Sequence, residues 1–238
     1  MDTKPVKPNT RRWSLWKRRE CVIPTLWGWI ALLLLVAVLA AFGIRVAHQF
    51  LTVNDPVPSK ILVVEGWVPD YAVDRIRSEI DRGRCDKVLV TGAAITSGAY
   101  LCGYTNWAEF GAATLLRRGV DTNSVEAVPA GMVVRDRTYT SAVALRVWLR
   151  HHPIGVKSFN LLTMADHSRR SRLLFTKAMG REYHVGVISV EERTFDPNRW
   201  WRSSEGVRTV VGEMIAYGYA RFLFWPPPPS EPSDGIAP

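Results

Sequence analysis

The stretch KSFNLLTMADHSRRSRLLFTKAMG (157–180) decides the fold class, because it contains an apolar strand, a polar turn and a helix in direct succession. Residues 157–163 form a short apolar run with the length of a buried strand. Residues 167–179 have apolar side chains at helical spacing, and Gly180 follows where glycine commonly ends a helix. We therefore expect one strand-turn-helix unit over this stretch.

The same order recurs on both sides of this unit. Further apolar runs bounded by turn residues predict four more strands, at 61–65, 87–91, 124–128 and 184–190. Segments with helical spacing predict four more helices, at 70–82, 105–118, 138–151 and 204–224. Strands and helices that alternate at this pitch form a parallel sheet covered on both faces. The sequence therefore predicts an α/β protein, a Rossmann-like three-layer α/β/α sandwich with a mainly parallel sheet of about five strands.

A long apolar segment precedes this domain. Residues 21–44 carry no charged side chain and include the run IALLLLVAVLAAFGI (30–44). A helix needs about 20 apolar residues to cross the hydrocarbon core of a bilayer. The run is apolar on every face, whereas a helix that packs on a soluble core has a polar face. We therefore expect one N-terminal transmembrane anchor at 24–46.

The charge around the anchor predicts its orientation. Residues 1–20 contain seven Lys and Arg residues and two acidic residues, whereas only Arg45 directly follows the apolar run. Positively charged flanks stay in the cytoplasm, so residues 1–23 are predicted to be a basic cytoplasmic tail and the domain to be exported. The alternative is a cleaved signal peptide, for which Val38 and Ala40 provide a tolerable cleavage pattern.

The other boundaries follow from composition. Residues 47–59 include most of the segment NDPVPSK (54–60) and are predicted to be a linker. The α/β domain is predicted at 60–225. Residues 226–238 are rich in proline, which cannot continue a helix, and are predicted to be a disordered tail.

The net charge of +9 does not predict a nucleic-acid partner. Residues 1–20 supply five of these positive charges, and the rest of the chain has no stripe of alternating basic and aromatic residues. Binding to phosphate backbones requires basic side chains clustered on one face. We therefore expect a membrane partner and no nucleic acid.

Polar residues follow four of the predicted strands, at the ends where open parallel sheets bind ligands. The candidates among them are Glu65, Gly66, Thr91, Gly92, Arg137, Thr140, Thr163, His167 and Arg170. Because these strand ends share one edge of the sheet, we expect Glu65, Thr91, Arg137 and His167 to lie along it.

The turn after the fourth strand predicts an anion site. We expect Asp166 or Thr163 to cap the next helix, whose first turn presents His167 and Arg170 on one face. Backbone N–H groups at a helix N-terminus and a guanidinium together bind phosphate or carboxylate groups. Arg137 arrives from the neighbouring loop, and Arg170 is expected at the exposed rim of the sheet. The alternative is that these arginines are a solvated rim paired with nearby acids.

His167 is the candidate general acid or base, because imidazole titrates near neutral pH, and Glu65 is the candidate to share this role. The sequence lacks the GxSxG, GxGxxG, GxxxxGK[ST] and HExxH motifs, so it names neither the reaction nor a cofactor. The sequence has no cluster of Cys and His residues that would predict a metal site. Cys85 and Cys102 are compatible with a disulfide and equally with two free thiols.

These segments resemble the YdcF/SanA/ElyC family of bacterial proteins over about residues 60–190. The matching segments are ILVVEG (61–66), VLVTGA (88–93), Glu109 in the following helix, TYTSA (138–142) and TMADHSRR (163–170). The last segment has the family-like spacing of Thr163, His167 and Arg170. Ala93 and Tyr139 depart from the pattern, in which a second glycine and an asparagine are usual. The stretches VEGW (64–67) and RWWRSSEGVR (199–208) suggest a distinct subgroup.

The resemblance implies a Rossmann-like domain behind a single-pass helix in the bacterial inner membrane, with the domain in the periplasm or another extracytoplasmic space. It implies a role in envelope integrity or in peptidoglycan-linked lipid-carrier metabolism, with an anionic small molecule or a lipid-linked phosphate as the ligand. The alternatives are a non-catalytic envelope binding or scaffold module and a nucleotide- or S-adenosylmethionine-binding protein. Residues and resemblance together predict His167 and Glu65 as catalytic, and as ligand-binding Gly66, Thr91, Gly92, Glu109, Arg137, Thr140, Thr163 and Arg170.

Overall fold

The computed structural model describes residues 24–132, 135–152 and 154–226. The predicted basic tail at 1–23 lies outside these residues, as does all but the first residue of the predicted proline-rich tail at 226–238. The chain divides into two compact units, residues 1–41 and residues 42–238.

The N-terminal helix α1 spans Leu26–Leu51. It is long and apolar enough to cross a membrane, because its most apolar window has a mean hydropathy of 2.6. Its last residues, 42–51, belong to the second unit, where His48 and Leu51 are buried.

The structure differs from the predicted linker at 47–59. Helix α1 continues to Leu51, and beyond it Asp55 makes an antiparallel bridge with Val187. The backbone N–H and carbonyl of Val57 both bond to the amide of Asn160, at 2.8 and 2.9 Å. Because the backbone groups of this segment find partners on the sheet, the segment is docked on the domain instead of hanging free.

Five parallel strands form the sheet, and the predicted strands and parallel arrangement are confirmed. They are β1 (Ile61–Glu65), β2 (Lys87–Gly92), β3 (Val125–Pro129), β4 (Ser158–Met164) and β5 (His184–Val190). Their order in the sheet is β3-β2-β1-β4-β5. The central strands are apolar on both sides because helices cover both faces.

Helices form the two outer layers, as predicted. Their bounds are α2 (Ala72–Asp81), α3 (Ala99–Cys102), α4 (Trp107–Arg117), α5 (Arg137–His151), α6 (Ser168–Met179) and α7 (Ser204–Gly218). On one face Val64 packs with Ile76 of α2 and Leu115 of α4. On the other face Val63 packs with Leu145 of α5 and Phe175 of α6.

Three short helical segments complete the fold. They are the 3-10 helices Thr122–Ser124 and Pro197–Arg202 and the π-helical turn Tyr219–Leu223, which extends α7. A third apolar cluster, Leu51, Phe195, Trp200 and Val210, joins the end of α1 to α7.

The strand order places a binding crevice between β1 and β4. The connection after β1 runs to one face of the sheet and leads to β2, whereas the helix after β4 covers the other face and leads to β5. Where neighbouring strands send their chains to opposite faces, a crevice opens outside their carboxyl ends. The residues that follow β1 and β4 therefore meet at this point.

Candidate functional site

A cavity of about 590 Å³ opens at the carboxyl ends of β1 and β4. Its walls include six of the predicted site residues: Glu65, Thr91, Gly92, Arg137, His167 and Arg170. The prediction that Glu65, Thr91, Arg137 and His167 share one edge of the sheet is therefore confirmed. The walls also include residues that the prediction did not name, among them Trp67, Trp107, Ser141, Ala216, Tyr219 and Ala220.

His167 lies between two carboxylates at the base of this cavity. Its Nδ1 is 3.0 Å from Oε1 of Glu213, and its Nε2 is 3.8 Å from Oε1 of Glu65. The indole of Trp67 meets the imidazole edge-on, with 5.0 Å between the ring centroids. The His167 side chain is only 9% exposed, and its Nε2 has no hydrogen-bond partner among the described residues. The imidazole is thus fixed through one nitrogen, while the other has free hydrogen-bonding capacity.

The contacts of Nδ1 favour one tautomer of His167. Nδ1 is 2.9 Å from Nη2 of Arg170 as well as 3.0 Å from the Glu213 carboxylate. Arg170 already donates to both carboxylate oxygens, whereas a lone pair on Nδ1 would face a negatively charged oxygen. We therefore assign the proton of the neutral imidazole to Nδ1, which donates to Glu213, and in this tautomer the approach of Nη2 of Arg170 is not a hydrogen bond. This assignment leaves a lone pair on Nε2, the form that a general base requires.

Arg170 is held by a bidentate ion pair with Glu213. The Nε–Oε2 and Nη2–Oε1 distances are 2.7 and 2.9 Å, and the two side chains are 19% and 16% exposed. The expectation that Arg170 lies at the exposed rim is wrong, because α7 brings a carboxylate that matches the planar guanidinium fork. Arg170 therefore ties α6 to α7, in addition to lining the cavity.

The pKa values of this pair show that both partners stay charged at neutral pH. Burial raises the pKa of Glu213, but hydrogen bonds with His167 and Arg170 outweigh this effect and lower the pKa to about 2. Burial lowers the pKa of Arg170, but the hydrogen bond and the charge of Glu213 raise it above its ordinary value. The carboxylate of Glu213 therefore remains able to accept the Nδ1 proton of His167.

Glu65 ends β1 and is buried, with 3% of its surface exposed. Its Oε2 accepts a hydrogen bond of 2.9 Å from the hydroxyl of Ser171, one turn along α6 from His167. Its Oε1 faces Nε2 of His167 at 3.8 Å, too far for a hydrogen bond. A protonated His167 would therefore have a carboxylate near each ring nitrogen.

Arg137 lines the same cavity in a different state. It lies exposed in the first turn of α5, and no carboxylate lies within 4.0 Å of its guanidinium in the described part of the chain. No side chain of the described residues caps the N-terminus of α5, where Asp136 has a left-handed backbone with φ of 52°. Free N–H groups and an arginine at a helix N-terminus attract anions.

The N-terminus of α6 differs from the prediction. His167 occupies the N-cap position, and neither Asp166, Thr163 nor any other described side chain caps the helix, so the expected capping by Asp166 or Thr163 is wrong. Thr163 points into the core with no exposed surface, and Asp166 is 3% exposed. Burial, followed by the nearby charges of Glu192 and Glu213, raises the pKa of Asp166 to about 6.

Gly66 and Gly92 support the cavity through backbone packing. The N–H of Gly66 donates to the carbonyl of Thr91 at 2.8 Å. A Cβ on Gly66 would overlap the carbonyl oxygen of Trp107, and one on Gly92 would lie 2.6 Å from the backbone nitrogen of Ala108. Both glycines therefore allow α4 to approach the strand ends, and Gly92 also lines the cavity whereas Gly66 does not.

Two more predicted ligand-binding residues, besides Gly66 and Thr163, lie outside the cavity wall. Glu109 is exposed in the first turn of α4, where its backbone N–H donates to the Asn106 cap at 2.9 Å. The hydroxyl of Thr140 donates to the carbonyl of Asp136 at 3.3 Å, one turn back in α5. Glu109 and Thr140 thus have local helical roles in this structure.

Glu213 is the functional residue that the strand-end prediction missed. It lies on α7, far in sequence from any strand end of the sheet. One signal was available: Glu213 is the single charged residue in TVVGEMIAYGYA (209–220). A lone acid in an apolar helix is costly to bury without a partner, which predicts a basic group close to it.

No cluster of three metal-ligating side chains occurs within the residues that the structure describes. Cys85 is buried, Cys102 is exposed, and both are free thiols. The titratable side chains that line the cavity are those of Glu65, Asp136, Arg137, His167, Arg170 and Tyr219.

No protein-family model matches the chain, and no curated protein or solved structure matches it. The resemblance to the YdcF/SanA/ElyC family therefore stays a prediction based on the quoted segments.

Proposed function

We propose that this chain is a membrane-anchored protein of the bacterial cell envelope that binds a phosphate-bearing ligand in the cavity and acts on it with His167 as general acid or base. The observation that carries the proposal is the pairing of Nδ1 of His167 with Glu213 at 3.0 Å, which leaves Nε2 without a partner among the described residues. The anchor, with the domain outside the cytoplasm, is supported by the apolar helix and the charge asymmetry around it.

Arg137 and the N-terminus of α5 support the binding part of the proposal. The charge of Arg170 is neutralised by Glu213, so the free positive charge at the cavity comes from Arg137 and the uncapped first turn of α5. The volume of about 590 Å³ is within the range of small-molecule sites. Trp67 and Trp107 add apolar wall, so a phosphate joined to an apolar or planar group suits the cavity.

Glu213 supports the catalytic part. A carboxylate that accepts the Nδ1 proton fixes the orientation of the imidazole and stabilises the imidazolium that forms when Nε2 takes up a proton. No hydroxyl group among the described residues is hydrogen-bonded to His167. We therefore propose that Nε2 acts on a water molecule or on a hydroxyl of the ligand, and not on a serine nucleophile of the chain.

A ligand screen followed by one substitution tests the proposal. The full chain in detergent is heated with pyrophosphate, sugar phosphates, nucleotides and polyprenyl phosphates, because a ligand raises the melting temperature in proportion to RT ln(1 + [L]/Kd). Each ligand that binds is then incubated with the protein and its products are analysed. His167→Gln, which retains hydrogen-bonding groups, should still bind but lose about 10²- to 10⁴-fold in turnover. Equal turnover in His167→Gln would refute the role of His167.

The second candidate is a non-catalytic binding module of the envelope. It is favoured by the closed network of Arg170, Glu213 and His167, which would brace α6 against α7 without any reaction. For this candidate the screen gives binding without product in the wild type, and Arg137 alone decides affinity. Selective binding of nucleotides or S-adenosylmethionine, added as a further ligand, would identify the remaining alternative.

A further inference from the structure

Helix α7 has two apolar faces, and the described residues bury only one of them. Gly206, Val210 and Ala220 are buried on its inner face. The opposite face carries Val207, Val211, Ile215 and Phe222, which are 40%, 43%, 69% and 71% exposed. Their spacing of four, four and seven residues places them on one side of the helix and its π-helical extension. We call these four residues the outer face of α7.

Charge is absent from the middle of this helix and positive at its end. Between Arg208 and Arg221 the single charged residue is Glu213, which turns inward to Arg170. Arg208 is paired with Glu205, whereas no carboxylate lies within 4.0 Å of Arg221 in the described part of the chain. The ammonium of Lys177 binds the carbonyl oxygens of Ala220 and Phe224, both at 2.7 Å. The C-terminal end of the helix is therefore cationic, next to an exposed Trp225.

The outer face lies on a helix that packs beside the end of the apolar N-terminal run. That run ends at Ile44, whose carbonyl oxygen accepts a hydrogen bond of 2.9 Å from the indole of Trp200. Phe50 meets Tyr217 of α7 edge-on, with 5.5 Å between ring centroids. Both Ile44 and Phe50 are themselves partly exposed, at 43% and 40%. Helix α7 thus packs, through Tyr217, beside the point at which the chain leaves its apolar run.

We infer that the outer face of α7 rests on the surface of a lipid bilayer that contains anionic lipids. A helix with an uncharged apolar stripe, cationic groups at one end and a terminal tryptophan has the features of an interfacial membrane helix. Arg221 and Lys177 meet the anionic headgroups, while Ile215 and Phe222 reach the boundary of the acyl chains. The inference concerns this surface alone and needs no ligand in the cavity.

Spin labels on the full chain in vesicles test the inference. In a background of Cys21→Ser and Cys102→Ser, the buried Cys85 is the one remaining native thiol. A nitroxide is attached at Ile215→Cys, and as the matched control at Asp81→Cys, an exposed site on α2. Collision rates are measured with oxygen, which concentrates in lipid, and with a water-soluble nickel chelate, in vesicles with and without anionic lipid.

The lipid inference predicts a high oxygen rate and a loss of nickel collisions at position 215, and the reverse at position 81. The nickel rate at 215 should rise in vesicles without anionic lipid, and also in Arg221→Glu, because headgroup attraction is lost. Nickel access at 215 equal to that at 81 would overturn the inference. Low collision rates with both oxygen and the nickel chelate at position 215 would also overturn the inference, because they would indicate that a second copy of the chain covers the outer face.

Discussion

Arg170 and Arg137 line the same cavity, yet the structure places them in opposite states. Arg170 is 19% exposed and is held by both oxygens of Glu213. Arg137 is exposed at the start of α5, with no carboxylate within ion-pair distance among the described residues. Both follow strands of one sheet and both open a helix, so they look alike in the sequence. Position at a strand end therefore does not decide whether an arginine is available to a ligand.

The partner that makes the difference comes from a distant helix. Glu213 is 43 residues from Arg170 along the chain. It also holds Nδ1 of His167, so the same carboxylate fixes Arg170 in the cavity wall and orients the imidazole. Arg170 thus has a structural role in addition to its place in the cavity wall, whereas Arg137 is free to bind an anion.

The largest expected effect is a loss of folding stability when Arg170 loses its partner Glu213. Glu213→Gln leaves the mostly buried Arg170 without its counter-charge and should lower the free energy of unfolding by about 3 kcal/mol. Glu205→Gln is the matched control on α7, because it breaks an exposed pair with Arg208 and should leave the free energy of unfolding nearly unchanged. Urea denaturation of the full chain in detergent measures both. Equal losses in the two variants would contradict the structural role of Glu213.

The pH dependence of this effect has a defined sign. The pKa of Glu213 falls from an ordinary 4.5 to about 2 on folding. A lowered carboxyl pKa contributes stability above about pH 4.5 and loses it as the pH falls towards 2. The stability difference between wild type and Glu213→Gln should therefore shrink over this window.

The buried Asp166, which precedes His167 in the chain, provides a test with the opposite sign. Its pKa rises from 3.8 to about 6 because of burial and then the charges of Glu192 and Glu213. A raised carboxyl pKa means that stability falls as the pH increases from about 4 to about 6. Asp166→Asn removes this loss and should be about 2 kcal/mol more stable than wild type at pH 7, with little difference at pH 4. The same urea series at the two pH values checks it, and a pH-independent difference would contradict the assigned shift.

A double substitution separates the contribution of the Arg170–Glu213 pair to stability from its effect on turnover. Arg170→Met with Glu213→Leu replaces the ion pair by apolar side chains, which is often neutral for stability, so we expect a change within about 1 kcal/mol. His167 then loses the carboxylate that holds Nδ1, and any turnover found in the ligand screen should fall. A double variant that unfolds as easily as Glu213→Gln would show that the pair does more than fill space between α6 and α7.

The sequence was sufficient for the sheet because its signals are local. Each strand from Ile61 to Val190 is a short apolar run bounded by turn residues, and the observed bounds differ from the prediction by no more than about two residues. The shared edge of Glu65, Thr91, Arg137 and His167 then follows from parallel strand geometry alone.

The rest depends on contacts between distant parts of the chain. The Thr163-His167-Arg170 spacing does not reveal that Thr163 faces the core or that Arg170 meets a carboxylate from α7. The segment at 47–59 has the composition of a linker, but the sheet edge and Asn160 supply partners for its backbone. Such tertiary partners leave no periodic signal in the sequence.

The most direct test of the proposed anion site is the affinity of the Arg137→Ala full chain for pyrophosphate, or for the best phosphate ligand of the screen. Titration calorimetry measures this affinity beside that of the wild type. We expect a Kd about 10- to 100-fold higher, from the loss of a charge-assisted hydrogen bond of about 1.5 to 3 kcal/mol. Stability should change by less than about 0.5 kcal/mol, because Arg137 is exposed and has no carboxylate partner among the described residues. Arg137→Lys should retain part of the wild-type affinity. The control variant Arg82→Ala, at an exposed arginine remote from the cavity, should retain all of it. An unchanged Kd in Arg137→Ala would contradict the proposed function, because Arg137 would then not bind the phosphate group of the ligand.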